Sequence, residues 1–293
     1  MPAVVALGGG HGLGVALRAI RNYSDTITAI VSVADDGGSS GRLRRDLDVP
    51  APGDLRKALV ALAADEPGWS RALEHRFRSG ELEGHAVGNL FLVGLAESFD
   101  DLPTALAEAG RLIGAVGAVL PATLDPVVIK AEVAGEPVEG QVAVAQAGGR
   151  GRIERVELVP HDAAAPGAAL QAIAAADQVV LAPGSLYTSV VAVLCVSDLQ
   201  AAIAQAPGRV VQVANLHTES PETDGLDGTD HLEALLDHGA RVDVLLFDRE
   251  HGLRVDEDAV RARGVLPVAD DLTDAAGAEH DPEKLANALA ALL

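Results

Sequence analysis

The feature that most constrains this chain is its opening: an apolar run, AVVAL at residues 3–7, breaks at the glycine-rich loop GGGHGLG at residues 8–14. Leu13, Leu17 and Ile20 then recur at helical spacing, and the β-branched run ITAIVSV follows at 27–33. A buried strand, a tight loop, a helix from about Gly12 to Asn22 and a second strand make a β-loop-α-β unit. Such a unit commits the chain to a parallel sheet, because parallel neighbours need a helical crossover. Five glycines in seven residues also let the backbone approach a ligand closely, with the helix N-terminus directing amide N–H groups at an anion. The strict dinucleotide spacing G-x-G-x-x-G fails, since counting from Gly8 its last position is Leu13. The loop therefore points to a phosphate or nucleotide, and a nicotinamide-dependent oxidoreductase is the weaker reading. A tight strand–helix connection without a ligand is the bland alternative.

The second strand runs into VADDGGSSGRLRRD at residues 33–46. Asp35 and Asp36 stand at its carboxyl end, where open α/β sheets bind ligands. A carboxylate there suits a ribose hydroxyl or a divalent cation. Adjacent residues on an extended chain point to opposite sides, so one of the two is expected to face the cleft. Gly37 to Gly41 read as a glycine loop whose Ser39 and Ser40 hydroxyls and amides suit a phosphate. Composition matters here. The 293 residues carry 22 basic and 43 acidic side chains, a net charge of −21. Nucleic acid and anionic membrane are therefore poor partners, and a phosphate ligand needs a local positive island. Arg42, Arg44, Arg45, Arg56 and Lys57 supply a candidate one.

Downstream, PGDLRKAL at 52–59 starts a helix, with Asp54 placed as its N-cap or as a site residue. Helices are expected at about 54–64, 69–77, 86–98 and 103–113, a helical block across 54–114. In GHAVGNL (84–90), His85 and Asn89 are four apart on one helix face. VVIKAEV, VEGQVAVAQ and RIERVELVP, within 126–160, read as antiparallel strands. Strand–helix alternation resumes at 178–184, 209–216 and 241–247, with helices at 188–205 and 229–238. A short helix, a strand near 265–268 and a last helix from Pro282 close the chain. APGSLYTS (182–189) repeats the strand-loop-helix logic, offering Gly184, Ser185, Leu186, Thr188 and Ser189 for capping or for binding phosphate. In the polar stretch 214–235, Asn215 follows a strand, and His217, Glu219, Glu222, Asp224, Asp230 and His231 fit no defensible zinc spacing. Thr229-Asp230-His231 reads more simply as a helix start.

Hydrophobic residues make up 48% and aromatics 2%, so the core must be built from Ala, Val, Leu and Ile. The single cysteine, Cys195, excludes an internal disulfide and a cysteine zinc cluster. No run is long enough for a membrane span and the N-terminus lacks an export pattern, so a cytoplasmic protein is expected. No repeat or linker is visible, and residues 1–293 read as one α/β domain with a helical insertion.

Taken together, GGGHGL, ITAIVSVADDGGSSGRLR, PGDLRKAL, GHAVGNL, VLPAT (119–123), APGSLYTS and PETDG…TDH resemble one family in colinear order. It is the gluconeogenesis factor family, the YvcK-type branch of the CofD-like superfamily. The likeness covers residues 3 to about 247, while 250–293 match loosely. The resemblance implies a Rossmann-like α/β fold: a mostly parallel sheet with helices on both faces and a small antiparallel strand region. It also implies a cytoplasmic protein needed for cell shape and wall synthesis during growth on gluconeogenic carbon sources. Members of this branch are associated with UDP-sugars, notably UDP-N-acetylglucosamine, and with no firm catalytic reaction. The implied ligand-binding set is Gly9, Gly10, His11, Gly12, Asp36, Ser39, Ser40, Arg42, Asp54, Lys57, His85, Asn89, Gly184, Ser185, Leu186, Thr188, Ser189 and Asn215. No cofactor is required on this reading; Mg²⁺ held by Asp35 and Asp36 is the one considered, and the expected assembly is a homodimer. The sister branch, the 2-phospho-L-lactate transferases, uses Mg²⁺ and a deazaflavin acceptor, and a transferase is the alternative function. The scarcity of aromatics for stacking a deazaflavin, and the lack of the Gly-Thr-Pro-Lys start of those enzymes, count against it. The chain departs from the family at His11 (usually Thr), Lys57 (usually Asn) and Ala86-Val87 (usually Ser-Leu).

Overall fold

In the computed structural model, which describes residues 1–64 and 67–293, every strand of the main sheet is parallel to its neighbours. The strands are β1 (Ala3–Gly8), β2 (Thr26–Val31), β3 (Ala118–Pro121), β7 (Gln178–Leu181), β8 (Arg209–Val213), β9 (Val244–Asp248) and β10 (Leu266–Asp270). Their order is β10-β9-β8-β7-β1-β2-β3. The chain thus winds outward from β1 through β2 and β3 on one side, and from β7 to β10 on the other. β1 and β7 meet at the switch point, with Val4 opposite Gln178 and Leu7 opposite Leu181. In such sheets ligands bind outside the carboxyl ends of the strands at that reversal. Every residue of β7 and β9 is buried, as both faces of a central parallel strand must be.

The crossover helix α1 (Gly10–Ile20) buries Leu13, Ala16, Leu17 and Ile20, the 3.6-residue stripe expected of an amphipathic helix. Among the described residues five helices separate β2 from β3: α2 (Gly38–Leu47), α3 (Pro52–Leu62), α4 (Pro67–Glu74), α5 (Val87–Phe99) and α6 (Leu102–Leu112). Helix α6 starts where Asp101 accepts the Thr104 amide at 2.8 Å, with Pro at the first turn. The small sheet β5-β4-β6 uses β4 (Val128–Val133), β5 (Glu136–Glu139) and β6 (Ile153–Val159), all antiparallel. Between β5 and β6 lies α7 (Gln141–Ala147), and α8 (Gly167–Ala174) leads into β7. A six-residue π-helix, Leu186–Val191, passes into α9 (Ala192–Leu194) and then α10 (Ser197–Ala204). The remaining helices are α11 (Gly228–Asp237), α12 (Glu257–Ala262) and α13 (Pro282–Ala290).

Three sequence expectations need correction. The stretch Gly37 to Gly41, read as a glycine loop, is the N-cap and first turn of helix α2. In VEGQVAVAQ only the first residues pair as β5, and the remainder is helix α7. The single helix expected at 188–205 is the π-helix, α9 and α10. The core is one contiguous apolar cluster of Ala, Val, Leu and Ile with Tyr187 among its largest buried side chains. No single helix among the described residues is long and apolar enough to cross a membrane.

Candidate functional site

A cleft of about 210 Å³ opens over the carboxyl ends of β1, β2 and β7. It is lined by the loop Gly9–Gly12, by Ser32 and Asp35 after β2, by Asp54 and Lys57 of α3, and by Gly184, Ser185, Thr188 and Ser189 after β7. Gln141 and Glu219 complete the wall. Two glycines make this assembly possible. A Cβ on Gly12 would sit 1.8 Å from the Pro183 carbonyl oxygen, so only glycine lets the post-β1 and post-β7 loops touch there. A Cβ on Gly9 would lie 2.5 Å from Asp54 Oδ2, which places the carboxylate directly against the loop. No side chain caps α1, and no acidic residue stands in its first turn. The positive end of this helix therefore retains its unpaired amides next to the cleft, an arrangement that favours an anion.

The two aspartates at the end of β2 separate as the alternation of an extended chain requires. Asp35 lines the cleft, and its Oδ1 accepts the Gly37 amide at 2.9 Å. Burial holds its carboxyl above the ordinary value of 3.8, against the Gly37 amide; Asp54 raises it further, while Ser40 and Lys57 lower it. Asp36 turns away and accepts the amides of Gln141 and Val142 at 2.9 and 3.0 Å. It anchors the first turn of α7 and is not among the residues that line the cleft. Asp54 is not the N-cap of α3 either: the helix starts at Pro52, after Ala51, and the Asp54 carboxylate meets Lys57 Nζ at 2.9 Å.

The post-β7 loop is held by the chain itself. The Asn215 side chain accepts the Gly184 amide at 3.0 Å and donates to the Gly184 carbonyl at 2.8 Å. Asn215 thus positions the loop and faces an adjoining pocket with His11, Arg18, His217 and His280. The Ser185 hydroxyl donates to Glu219 at 3.1 Å. The amides of Tyr187 and Thr188 are taken by Glu222 Oε1 at 3.0 and 2.7 Å. That carboxyl is pushed up to about 7 by burial, which outweighs the hydrogen bonds from Thr188 and Tyr187. The start of the π-helix is therefore already bonded to an internal carboxyl, while Ser185 and Thr188 still line the cleft. The Leu186 side chain is buried in the core.

The expected positive island divides. Only Lys57 reaches the cleft. Arg42 donates to the Glu83 carbonyl at 2.7 Å, and Arg44 is tied to the carbonyls of Ala34 and Val127. Arg56 is 4% exposed among α3, α4 and α5, and its Nε and Nη1 have no hydrogen-bond partner among the described residues. Ser39, His85 and Asn89 form a separate buried cluster: the Ser39 hydroxyl lies 3.1 Å from His85 Nδ1 and accepts from Asn89 Nδ2 at 3.1 Å. Burial lowers the His85 pKa below its usual 6.5, and the Arg42 charge adds to this. Arg42, Ser39, His85 and Asn89 do not line the cleft, and Ser40 acts on it through Asp35.

The donor set does not suit a divalent cation. Asp36 is spent on α7, Asp54 is paired with Lys57, and no three His, Cys, Asp or Glu side chains converge in metal-binding geometry among the described residues. In the 214–235 stretch, Thr229-Asp230-His231 lies in the first turn of α11, with Asp227 as its cap and Asp230 completing a capping box. His231 of that helix is buried. Sequence reasoning missed Ser32 and Gln141 as cleft residues and considered Glu219 only as a metal ligand. Gln141 carried no local signal, since it arrives from the segment misread as strand.

The family model described as 2-phospho-L-lactate transferase CofD matches residues 4–284. A protein described as "Putative gluconeogenesis factor" from Mycobacterium tuberculosis is 44% identical over 305 residues, covering 98% of this chain and 89% of its own. The "Gluconeogenesis factor" of Halalkalibacterium halodurans is 40% identical over 286 residues, covering 91% and 88%. The crystal structure of a UPF0052 family member from Bacillus halodurans superposes with a TM-score of 0.93 at 38% identity, covering 99% of this chain and 98% of that one. With a switch-point cleft and a family match over nearly its whole length, the chain belongs to the CofD family, in the branch whose members are named gluconeogenesis factors.

Proposed function

We propose that the cleft binds the phosphate-bearing part of a nucleotide sugar of the UDP-N-acetylglucosamine kind, and that the protein works as a regulator that senses this ligand. The observation that carries the reading is the uncapped N-terminus of α1 opening at the β1/β7 switch point beside Lys57. Backbone amides at a helix N-terminus take phosphate oxygens without a dedicated charged side chain, which suits a chain of net charge −21. The adjoining pocket with Asn215, Leu216 and Val15 offers the extra room a nucleoside or sugar needs. A binding role is supported by the absence, among the described cleft residues, of an activated nucleophile. Ser185 and Ser189 have no imidazole hydrogen-bonded to them, and Cys195 lies elsewhere, its thiol pushed up to about 12 by burial. On this reading the protein acts in the cytoplasm as a homodimer, in cell shape and wall synthesis on gluconeogenic carbon sources.

Isothermal calorimetry with UDP-N-acetylglucosamine, GTP and NAD tests this directly. The expected result is saturable binding of the UDP-sugar in preference to the other two. Phosphorus NMR of the same mixtures should show the ligand unchanged over hours. Steady turnover would replace the regulator with a transferase, the chemistry for which the matched family model is described.

A further inference from the structure

We infer that the Lys57 ammonium is the resident cation of this cleft, standing beside Asp54 where a divalent ion would bridge protein and ligand phosphate, so that the ligand is taken without a divalent cation. The inference rests on the reading of the cleft as a phosphate site. Lys57 Nζ lies 2.9 Å from Asp54 Oδ1, and the two side chains are 23% and 13% exposed. Both line the cleft with Asp35, and Lys57 is the one Lys or Arg among the described lining residues. Asp35 and Asp54 would otherwise be two neighbouring carboxylates aimed into a phosphate site, the arrangement that recruits a hard divalent cation.

Two features oppose that outcome here. The third nearby carboxylate, Asp36, is withdrawn by its bonds to the amides of Gln141 and Val142, so it adds no further negative charge to offset the ammonium. A divalent ion at Asp54 would also have to displace the ammonium or stand beside it, against direct charge repulsion. Lysine is suited to the substitute role. Its flexible stem lets one point charge remain on Asp54 while offering its other protons to a phosphate oxygen. Asp54 then acts as a positioning residue, holding the ammonium against the loop at Gly9.

The test is a Mn²⁺ titration followed by electron paramagnetic resonance on the full chain without nucleotide, comparing the native protein with Lys57→Asn and Lys57→Gln. Circular dichroism and thermal melting confirm that each variant is folded. The native protein should show no saturable Mn²⁺ site, both variants should gain one, and adding Asp54→Asn to either should abolish it. In parallel, UDP-N-acetylglucosamine should bind the native protein equally well in EDTA and in Mg²⁺. Lys57→Asn should lose about tenfold in EDTA and recover with Mg²⁺. Saturable Mn²⁺ binding by the native protein that disappears in Asp54→Asn would overturn the inference. So would variants that gain no site, because Lys57 would then not be what excludes the ion. If no protein binds the UDP-sugar, the nucleotide reading fails by itself, and the Mn²⁺ titrations still decide the role of Lys57.

Discussion

Glu222 and Thr188 are joined by a 2.7 Å hydrogen bond from the Thr188 amide to the Glu222 carboxyl, inside the protein and 34 residues apart in sequence. The Tyr187 amide adds a second, so one buried side chain satisfies the turn that leads from β7 into its helix. Glu222→Ala would strand these donors, at a cost of about 1–3 kcal/mol. Urea denaturation should register that loss, while Glu222→Gln, which keeps an acceptor, should lose less. The carboxyl also sets a pH dependence. Its pKa rises from an ordinary 4.5 to about 7 in the folded state, so the folded protein holds the proton more tightly. Its stabilising contribution is complete below pH 4.5 and is lost as the pH rises through about 7. Comparing melting curves of the native protein and Glu222→Gln from pH 5 to 8 isolates this slope. Parallel curves would refute it.

His231 and His280 pull the other way. Burial lowers each from 6.5 to about 4, and the Nε2 atom of each has no partner among the described residues. The unfolded chain takes up protons that the folded one refuses. Stability from these two groups is complete above pH 6.5 and falls as the pH drops through about 4. An NMR titration of the imidazole protons should find His231 and His280 still neutral at pH 5.5, a point between the two values. Midpoints near 6.5 for all of them would show that neither ring is desolvated.

Gly12→Ala should disrupt the cleft because the new methyl would overlap the Pro183 carbonyl oxygen. Separating the two loops costs about 1–3 kcal/mol and opens the switch point. Gly68→Ala is the matched control, since nothing lies within 4 Å of a Cβ there. Melting temperature and UDP-N-acetylglucosamine affinity should both drop in the first variant and hold in the second. Equal behaviour would mean the loop contact is not needed.

Asp35 and Asp36 should separate by phenotype. Asp36→Ala removes the acceptor for the first amides of α7 and should lower stability by about 1 kcal/mol, with binding retained. Asp35→Asn removes a carboxylate that lines the cleft, so it should change ligand affinity while leaving the fold intact. Calorimetric binding paired with denaturant melts reads both effects. Loss of binding in Asp36→Ala at unchanged stability would return that residue to the ligand.

Sequence order alone makes part of this legible. The glycine loop after AVVAL, the strand–helix alternation and the stripe Leu13, Leu17, Ile20 are local patterns, and the parallel sheet follows from them. Alternation also says that only one of Asp35 and Asp36 can face the cleft. Which one it is depends on Gln141 and Val142, more than a hundred residues away. Helix α2 is hidden because Gly38, Ser39, Ser40 and Gly41 carry poor helix propensity, and Gly41 is needed for a local reason, since a Cβ there would meet the Asp36 carbonyl oxygen at 1.7 Å. Helix α7 reads as strand because Val142 and Val144 alternate with alanines, a period of two that Asp36 overrides. The arginines mislead for another reason: composition counts charges and cannot tell that Arg42 and Arg56 point elsewhere.

The pairing of β1 with β7 joins residues 4–7 to residues 178–181. During synthesis the first strand therefore leaves the ribosome long before its switch-point partner exists. The glycine loop and α1 can form early, yet the opposite wall, with Gly184, Ser185 and the Asn215 clasp, arrives only after the helical block and the small sheet. Domains fold as their chain emerges, and non-local parallel pairings close slowly. A nascent chain ending before residue 178 should thus expose the apolar edge of β1 and bind nothing. Competence to bind ligand would arise in one step, late in translation, when both walls of the cleft are first present together.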